Sequence, residues 1–346
     1  MKKYGKTGQF NQMVKAMVME EQFIGLNDEG QAMYDKNKVL PSKEVTATVK
    51  LHGTNAGVRD NFITDGVLSF QSKENVLSIE KDNAGFTFTM STKIDALKGL
   101  MAKVRERAGD AAENRDVILF GEFAGGSIQK KVALNELPKR FYIFSIVLVG
   151  SDNSDEQKLN MLDYADIYDV DADIYNLWDE TRFPVYRWTM DLNNPKYIQN
   201  DIIAVVEAIE EECPVGKYFG VSGIGEGVVL HSGNHKSKVK GDKHAGKSKV
   251  KKTNIVDIER MKSIQDFVEK KCDIERLDQG YQEMIDQGKP MERKTTGDFV
   301  RWVLSDIVTE EKHTMEENGF EPRDLGSPVG KICSRYFIDR CESLDD

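Results

Sequence analysis

No run of about 18 apolar residues occurs in this 346-residue sequence, so no membrane-spanning helix is expected. Met1-Lys2-Lys3 leads directly into polar sequence, and no signal peptide is expected either. Cysteine is scarce: Cys213, Cys272, Cys333 and Cys341 are scattered and never form Cys-x-x-Cys. That argues against a zinc site or a disulfide frame and suits thiols in a reducing compartment, the cytoplasm, or the host cytoplasm for a viral protein. There is no internal repeat and no low-complexity tract. A general positive surplus is missing too, since the net charge is −10, which argues against indiscriminate nucleic-acid binding.

What is present is uneven. From His231 to Lys252 eight lysines stand against one acid, Asp242, a local +7 that leaves −17 for the rest of the chain. A compact basic stretch on an acidic body suits a focused phosphate site, and equally a solvated loop. The length gives room for two domains.

The densest chemistry lies at Lys50-Leu51-His52-Gly53-Thr54-Asn55. Before it, Val45, Ala47 and Val49 alternate with Thr46, Thr48 and Lys50, the period of a half-buried strand with Lys50 at its end and off the apolar face. Gly53-Thr54-Asn55 is turn chemistry. A lysine held beside a tight turn suits a nucleophile that reaches a bound phosphate. Further along, Val117–Phe123 is an apolar run carrying Gly121-Glu122, and Phe141–Phe144 reads as a strand with Phe141 and Ile143 on one face, Tyr142 and Phe144 on the other. Glu226 sits between glycines in Gly225-Glu226-Gly227-Val228, and Lys238 and Lys240, two apart in a strand, face the same way.

Taken in order, these strings resemble the motifs of the covalent nucleotidyltransferases, specifically ATP-dependent RNA ligases similar to phage T4 RNA ligase 2, from about residue 40 to residue 252. Lys-x-His-Gly-Thr-Asn is similar to their first motif; DNA ligases and mRNA-capping enzymes usually carry Asp where this chain has His52. Asp82-Asn83-Ala84-Gly85-Phe86 and Gly126-Ser127-Ile128-Gln129-Lys130 also resemble family sequence. Three departures stand out. Lys73 takes the place of a usual Arg, keeping the charge and losing the bidentate fork. The spacer after Glu226 is short, and Ser237 replaces an apolar residue, so Lys249-x-Lys251 remains an alternative to Lys238-x-Lys240.

The resemblance implies an α+β fold: a nucleotidyltransferase of ATP-grasp-like antiparallel sheets with flanking helices over 1–252, followed by a small all-α C-terminal domain over 253–346 in the place where relatives bind substrate RNA. It implies an ATP-dependent ligase joining RNA 3′-hydroxyl and 5′-phosphate ends, as in RNA repair, with ATP and Mg²⁺ (or Mn²⁺) as cofactors. By the same likeness Lys50 is the nucleophile and holds AMP, and Asn55 and Lys73 meet the nucleotide. Glu122 meets the ribose, Phe144 stacks on adenine, Glu226 holds the metal, Lys238 and Lys240 face the phosphates, and His52 serves later steps. A free lysine titrates near roughly 10.4, so the cations Lys238, Lys240 and Mg²⁺ are expected to help Lys50 lose its proton. The partners are RNA ends, nicked or single-stranded; no membrane or protein partner is expected, and the chain should be a monomer.

Rival readings are a DNA ligase or capping-type guanylyltransferase on the same scaffold, a P-loop phosphotransferase, and a non-catalytic RNA-binding protein. Gly241-Asp242-Lys243-His244-Ala245-Gly246-Lys247-Ser248 fits G-x-x-x-x-G-K-S, but its flanks are too charged for a buried strand and lack a helical apolar stripe. Asp169-x-Asp171-x-Asp173 with Glu180 imitates a calcium loop, but Ile174 stands where the turn needs Gly. Residues 1–43 carry no recognisable chemistry beyond a helix over Phe10 to Glu21, and 151–200 read as a decoration. In the C-terminal part, helices are expected around Met261–Cys272, Phe299–Ile307 and Val329–Phe337, the last capped by Ser327 with Pro328 in its first turn.

Overall fold

A computed structural model describes residues 1–153, 155–245 and 255–343. The chain divides into two compact units. The first comprises Met1–Met17, Ser42–Met190 and Ile198–Lys251; the second comprises Val18–Pro41, Asp191–Tyr197 and Lys252–Asp346. A single cut at residue 252 leaves Val18–Pro41 and Asp191–Tyr197 in the first unit, whereas here they belong to the second. The Asn193 amide shows why: its Oδ1 accepts from Leu40 N–H at 3.1 Å and its Nδ2 donates to Leu40 O at 2.8 Å.

The chain opens with β1 (Gly8–Gln9), α1 (Phe10–Gln22) and a hairpin of β2 (Phe23–Leu26) and β3 (Ala32–Tyr34). Then come β4 (Ser42–Lys50), β5 (Thr54–Arg59), β6 (Ser69–Ser72), β7 (Val76–Leu77), α2 (Phe86–Ser91) and α3 (Ile94–Ala108). Next are β8 (Asp116–Ala124), β9 (Arg140–Val149), β10 (Glu156–Lys158), β11 (Ile174–Asn176) and β12 (Val185–Asp191). The first unit closes with α4 (Gln199–Glu211), α5 (Pro214–Tyr218), β13 (Gly227–Ser232), β14 (His235–Lys240) and α6 (Asp242–Ala245).

Two sheets form the first unit. One runs β1-β14-β13-β4-β12, with β13 antiparallel to both neighbours and β1 parallel to β14. The other runs β10-β9-β8-β5-β6-β7, antiparallel throughout, with β11 added parallel to β9. β4 is a strand for the reason its alternation suggests: Val45, Ala47 and Val49 are fully buried, and branched Thr46 and Thr48 suit extended backbone. α3 turns Leu97, Leu100, Met101 and Val104 inward against the second sheet, where Phe86 meets Phe70, Phe123 and Phe141 at ring separations of 6.0, 5.2 and 5.2 Å. Among the described residues, those after 254 are helical without strands: α7 (Ile255–Lys271), α8 (Ile274–Asp286), α9 (Thr296–Glu310), α10 (Lys312–Glu317) and α11 (Pro322–Glu342). The molecule is therefore α+β with an all-α C-terminal segment. No described helix is long and apolar enough to cross a membrane.

One helix start is corrected. α11 begins at Pro322, six residues before Pro328, which lies inside the helix. Glu321 and Asp324 form a reciprocal capping box around Pro322 at the first helical position, a complete start signal that overrides Ser327-Pro328. Pro328 removes one backbone donor, and the packing of Leu325, Val329, Cys333 and Phe337 holds the helix through it. α8 was not anticipated, although Leu277, Tyr281 and Met284 share one face and Asp273 caps it by accepting from Arg276 N–H at 2.9 Å. All four cysteines are buried, and no disulfide joins them.

Candidate active site

The turn at Leu51–Gly53 carries the chain from one sheet to the other. β4 ends at Lys50 in the first sheet, and β5 starts at Thr54 in the second. Gly53 permits this close crossing, because a Cβ there would lie 2.5 Å from Phe123 O. Register does the rest. Gly227 is the pairing partner of Lys50 on one side and of Lys240 on the other, so Glu226 sits just outside the ends of three neighbouring strands. Gly227 has φ +139, and a Cβ on it would lie 2.2 Å from Val239 O, so only glycine fits. On the other sheet Asn55 pairs with Glu122.

Glu226 is almost wholly buried, 1 % exposed, and both of its oxygens are used. Oε2 lies 2.6 Å from Lys50 Nζ and 3.2 Å from His52 Nδ1; Oε1 lies 2.5 Å from Lys240 Nζ. Burial pushes its carboxyl up, but Lys50 and Lys240 outweigh that and hold it below the usual carboxylate range. The sequence reading surrounds Lys50 with cations; the charged group that touches it is this carboxylate.

Beside the cluster opens a cavity of about 370 Å³. Of the residues expected to meet a nucleotide, Lys50, Asn55, Lys73, Glu122, Phe144 and Lys238 line it. Glu226, Lys240 and His52 are not part of its lining but join it through Lys50, and the His52 ring stands 5.4 Å from that of His244. Glu122 lies within β8, not past its end, and its Oε1 accepts from Gly53 N–H at 3.0 Å. Enclosure by protein pushes its carboxyl up to about 7, Lys50 works against the rise, Glu226 adds to it and the Gly53 N–H works against it. Burial, with Lys240, Lys50 and Lys73 nearby, pulls the Lys238 ammonium below the ordinary lysine range, against the pull of Glu226. Asn55 Oδ1 is buried without a hydrogen-bond partner among the described residues. Phe144 owes its place to a bulge: the β8–β9 register jumps from Phe120↔Ser145 to Gly121↔Ile143, leaving Phe144 as the extra residue.

Sequence reasoning missed one wall. Tyr4, Gly5, Lys6 and Thr7 line the cavity, because β1 pairs with Ser237 and Lys238 of β14 and lays the preceding residues alongside. Tyr4 packs on Phe144 at 5.0 Å and Phe120 at 5.2 Å, with Lys236 Nζ over its ring at 3.2 Å. Nothing periodic in Met1–Thr7 announces this. Val229 and His231 were also overlooked, although their alternation along β13 places both on the cavity side.

Both decoys fail structurally. β14, which precedes the Gly241–Ser248 string, lies between antiparallel β13 and two-residue β1, and α6 starts at Asp242, inside the would-be phosphate loop. Gly246–Ser248 of that string, with Lys249 and Lys251, lie outside the described residues. In the calcium-like string Asp173 is committed to Arg140 and Lys93, and Asp169 to Ala172 N–H. Among the described residues no three His, Cys, Asp or Glu side chains gather as a metal cluster.

The RNA ligase family pattern matches residues 43–249, more than half of the chain and the whole of the site except its N-terminal wall. The chain belongs to the RNA ligase family. Solved structures of an RNA ligase from Naegleria gruberi resemble it. The form with PPi is 17 % identical with a TM-score of 0.43, covering 71 % of this chain and 58 % of that one. A mutant with ATP and Mn is 17 % identical with a TM-score of 0.44 over the same shares. The chain thus spans less than two thirds of the length of those structures. No curated protein matches it.

Proposed function

We propose that this member of the RNA ligase family is an ATP-dependent enzyme similar in type to phage T4 RNA ligase 2, built on a nucleotidyltransferase fold and joining RNA 3′-hydroxyl and 5′-phosphate ends. One observation carries the reading: the β4–β13–β14 register gathers Lys50, Glu226 and Lys240 at the edge of a cavity that Lys238, Asn55 and Glu122 also line.

Lys50 leaves its ion pair with Glu226, gives up a proton and attacks the α-phosphorus of ATP. A phosphoramidate to AMP forms as the bond to pyrophosphate breaks. The adenylyl group then passes to a 5′-phosphate of RNA, restoring the amine, and a 3′-hydroxyl displaces AMP to form the phosphodiester. Lys238, Lys240 and Lys73 stabilise charge on the phosphates. Phe144 supplies an apolar face for the base, and Glu122 accepts from the ribose hydroxyls. A divalent ion fits one donor here. Once the two ammoniums let go, the Glu226 carboxylate is a hard oxygen ligand of the kind that Mg²⁺ or Mn²⁺ shares with substrate phosphates. When bound, such an ion neutralises phosphate charge.

The direct test uses ATP and GTP, each labelled at the α-phosphate. The ligase reading expects a covalent, acid-labile protein adduct from ATP only, and its transfer to 5′-phosphorylated RNA. A guanylyltransferase takes label from GTP, and a non-catalytic RNA-binding protein takes none.

Glu122 adds a pH dependence. Its carboxyl keeps its proton up to about 7 in the fold, whereas an unfolded glutamate releases it near roughly 4.3. The native state therefore binds more protons between those values, and this group's contribution to stability falls as pH rises through them. Ribose recognition needs the ionised form. Affinity for a non-reactive ATP analogue should therefore rise as pH passes about 7, and Glu122→Gln should flatten the curve; equilibrium binding across pH 6 to 8 checks it, and an unchanged curve in the variant removes Glu122 from the ribose.

A further inference from the structure

A second cavity of the first unit, about 380 Å³, shares Tyr4, Phe144 and His231 with the first and extends to the turn between β13 and β14. Its other walls come from both sheets: Lys236 lies on β14, Lys158 on β10 and Asn234 in the turn. Lys50, Lys73 and Lys238, which mark the phosphate end of the first cavity, do not line the second. It therefore lies behind the Phe144 end, where ligation has no use for it.

The chemistry of its walls points to a small anion. Among the described residues neither Lys158 nor Lys236 is paired with a carboxylate, and the acids nearby are engaged elsewhere. Glu156 Oε2 lies 2.5 Å from Lys2 Nζ, and Glu44 Oε1 accepts from Thr189 Oγ1 at 2.8 Å. Lys236 is the more telling of the two. Its Nζ stands 3.2 Å from the centre of the Tyr4 ring, and burial, with Lys158 nearby, pulls its ammonium down to about 7 against the pull of Glu156. An anion placed beside it returns the proton.

His231, in the shared wall, adds a donor. Burial, with Lys236 nearby, pushes its imidazole down to about 4, and its Nε2 has no hydrogen-bond partner among the described residues. A neutral ring with its proton on Nε2 donates to an oxyanion, as does the Asn234 amide. The remaining titratable groups on the walls are Glu44, His235 and Tyr4, whose phenol burial pushes up and keeps neutral. Two cations joined by neutral N–H donors are the donor set of a phosphate-class oxyanion.

We infer that the second cavity binds a free phosphate-class oxyanion, such as inorganic phosphate or pyrophosphate, and that its occupancy tightens the first cavity through the Tyr4 wall. The anion keeps Lys236 charged, and a charged ammonium holds the Tyr4 ring by cation–π attraction. Tyr4 in turn packs on Phe144 at 5.0 Å. A wall already fixed when the nucleoside arrives removes that ordering from the cost of binding. The link rests on the nucleotide reading of the first cavity, whereas the anion site stands without it.

The test is calorimetric titration of the full chain with sulfate, which has no titration of its own near neutrality, at about pH 7 and at an ionic strength balanced with chloride. A saturating non-reactive ATP analogue fills the phosphate end of the first cavity. Wild type should bind one sulfate, and Lys158→Met/Lys236→Met should bind it at least about tenfold more weakly. Lys98→Met/Lys103→Met, an equal charge change at exposed positions of α3, should match wild type. Buffers of different ionisation heat should reveal proton uptake with sulfate in wild type and in Lys158→Met, and none in Lys236→Met. Adenosine, which carries no phosphate to compete, should bind about fivefold tighter when sulfate is present, and Lys236→Met should lose that gain. Absence of sulfate binding, or binding untouched by loss of both lysines, overturns the site. Displacement of sulfate by a 5′-phosphorylated dinucleotide instead of by pyrophosphate overturns its assignment to a free anion. Sulfate binding that leaves adenosine affinity unchanged overturns the link. A chain that binds neither the analogue nor adenosine fails the nucleotide reading, and the sulfate comparison between wild type and variants still decides the anion site.

Discussion

Lys50→Ala is expected to abolish the protein–AMP adduct, a loss of at least about a thousandfold, because no second amine can form the phosphoramidate from the same position. Lys240 lies close, but its Nζ is held on the far oxygen of Glu226, and it does not line the cavity. The variant should still fold. Glu226 keeps Lys240 and His52 as partners, so the buried carboxylate is not orphaned. ATP affinity should drop only modestly, since Lys238, Lys73, Asn55 and Glu122 all remain on the cavity wall. The measurement is label retained on denatured protein, set beside equilibrium ATP binding. An adduct at wild-type yield places the nucleophile elsewhere. Lys247→Ala provides the contrast: it should retain the adduct, as a P-loop lysine would have no part in forming one.

Glu226→Ala carries the second large effect, this time on stability as well as chemistry. Removing the carboxylate leaves Lys50 and Lys240, at the ends of the two strands that flank β13, as ammoniums without the carboxylate that joined them. Breaking a buried pair costs about 3 to 5 kcal/mol, and the lower end applies because both lysines keep contact with solvent, at 20 % and 26 % exposure. Melting of the first unit should fall by roughly 6 to 12 °C, and adduct formation should demand more divalent ion or fail. The effect has a pH signature. Lysine partners hold the Glu226 carboxyl below its ordinary range, so its stabilising contribution is complete above about pH 4.3 and is lost as pH falls through the lower, folded value. Wild type and variant should therefore converge in acid. Equal melting of the two at neutral pH would mean that the ion-pair cluster contributes nothing to the fold.

Much of the site could be read from residues alone, and the unread part has a common cause. Alternation over Val45–Lys50 located the strand and the side on which Lys50 lies, because a half-buried strand writes its two faces into the sequence. It says less of Phe144, which sits at a bulge in the β8–β9 register, and of Lys238 and Lys240, of which Lys238 alone lines the cavity. Alternation says nothing about what lies opposite. That Glu226, 176 positions away, would touch Lys50, instead of a ring of cations, depends on the β4–β13 pairing. The cavity wall at Tyr4–Thr7 follows from a two-residue parallel pairing too short to leave any period. Asn193 binding the backbone of Leu40 is equally silent in sequence, so the discontinuous second unit escaped notice. By contrast, the start of α11 was legible. Glu321-Pro322-Arg323-Asp324 is a full capping signature, and the nearer Ser327-Pro328 drew the reading away from it.

The passage of the chain from one sheet to the other at Leu51–Gly53 has a kinetic implication. Lys50 belongs to one β-layer, and Asn55 and Glu122 to the other, so the proposed nucleophile and two residues proposed to meet the nucleotide are mounted on separate sheets joined by three residues. Attack at phosphorus tolerates little misplacement, whereas ground-state affinity tolerates more. Conservative repacking of residues wedged between the sheets, remote from any ligand, will therefore slow nucleotidyl transfer while leaving nucleotide affinity nearly intact.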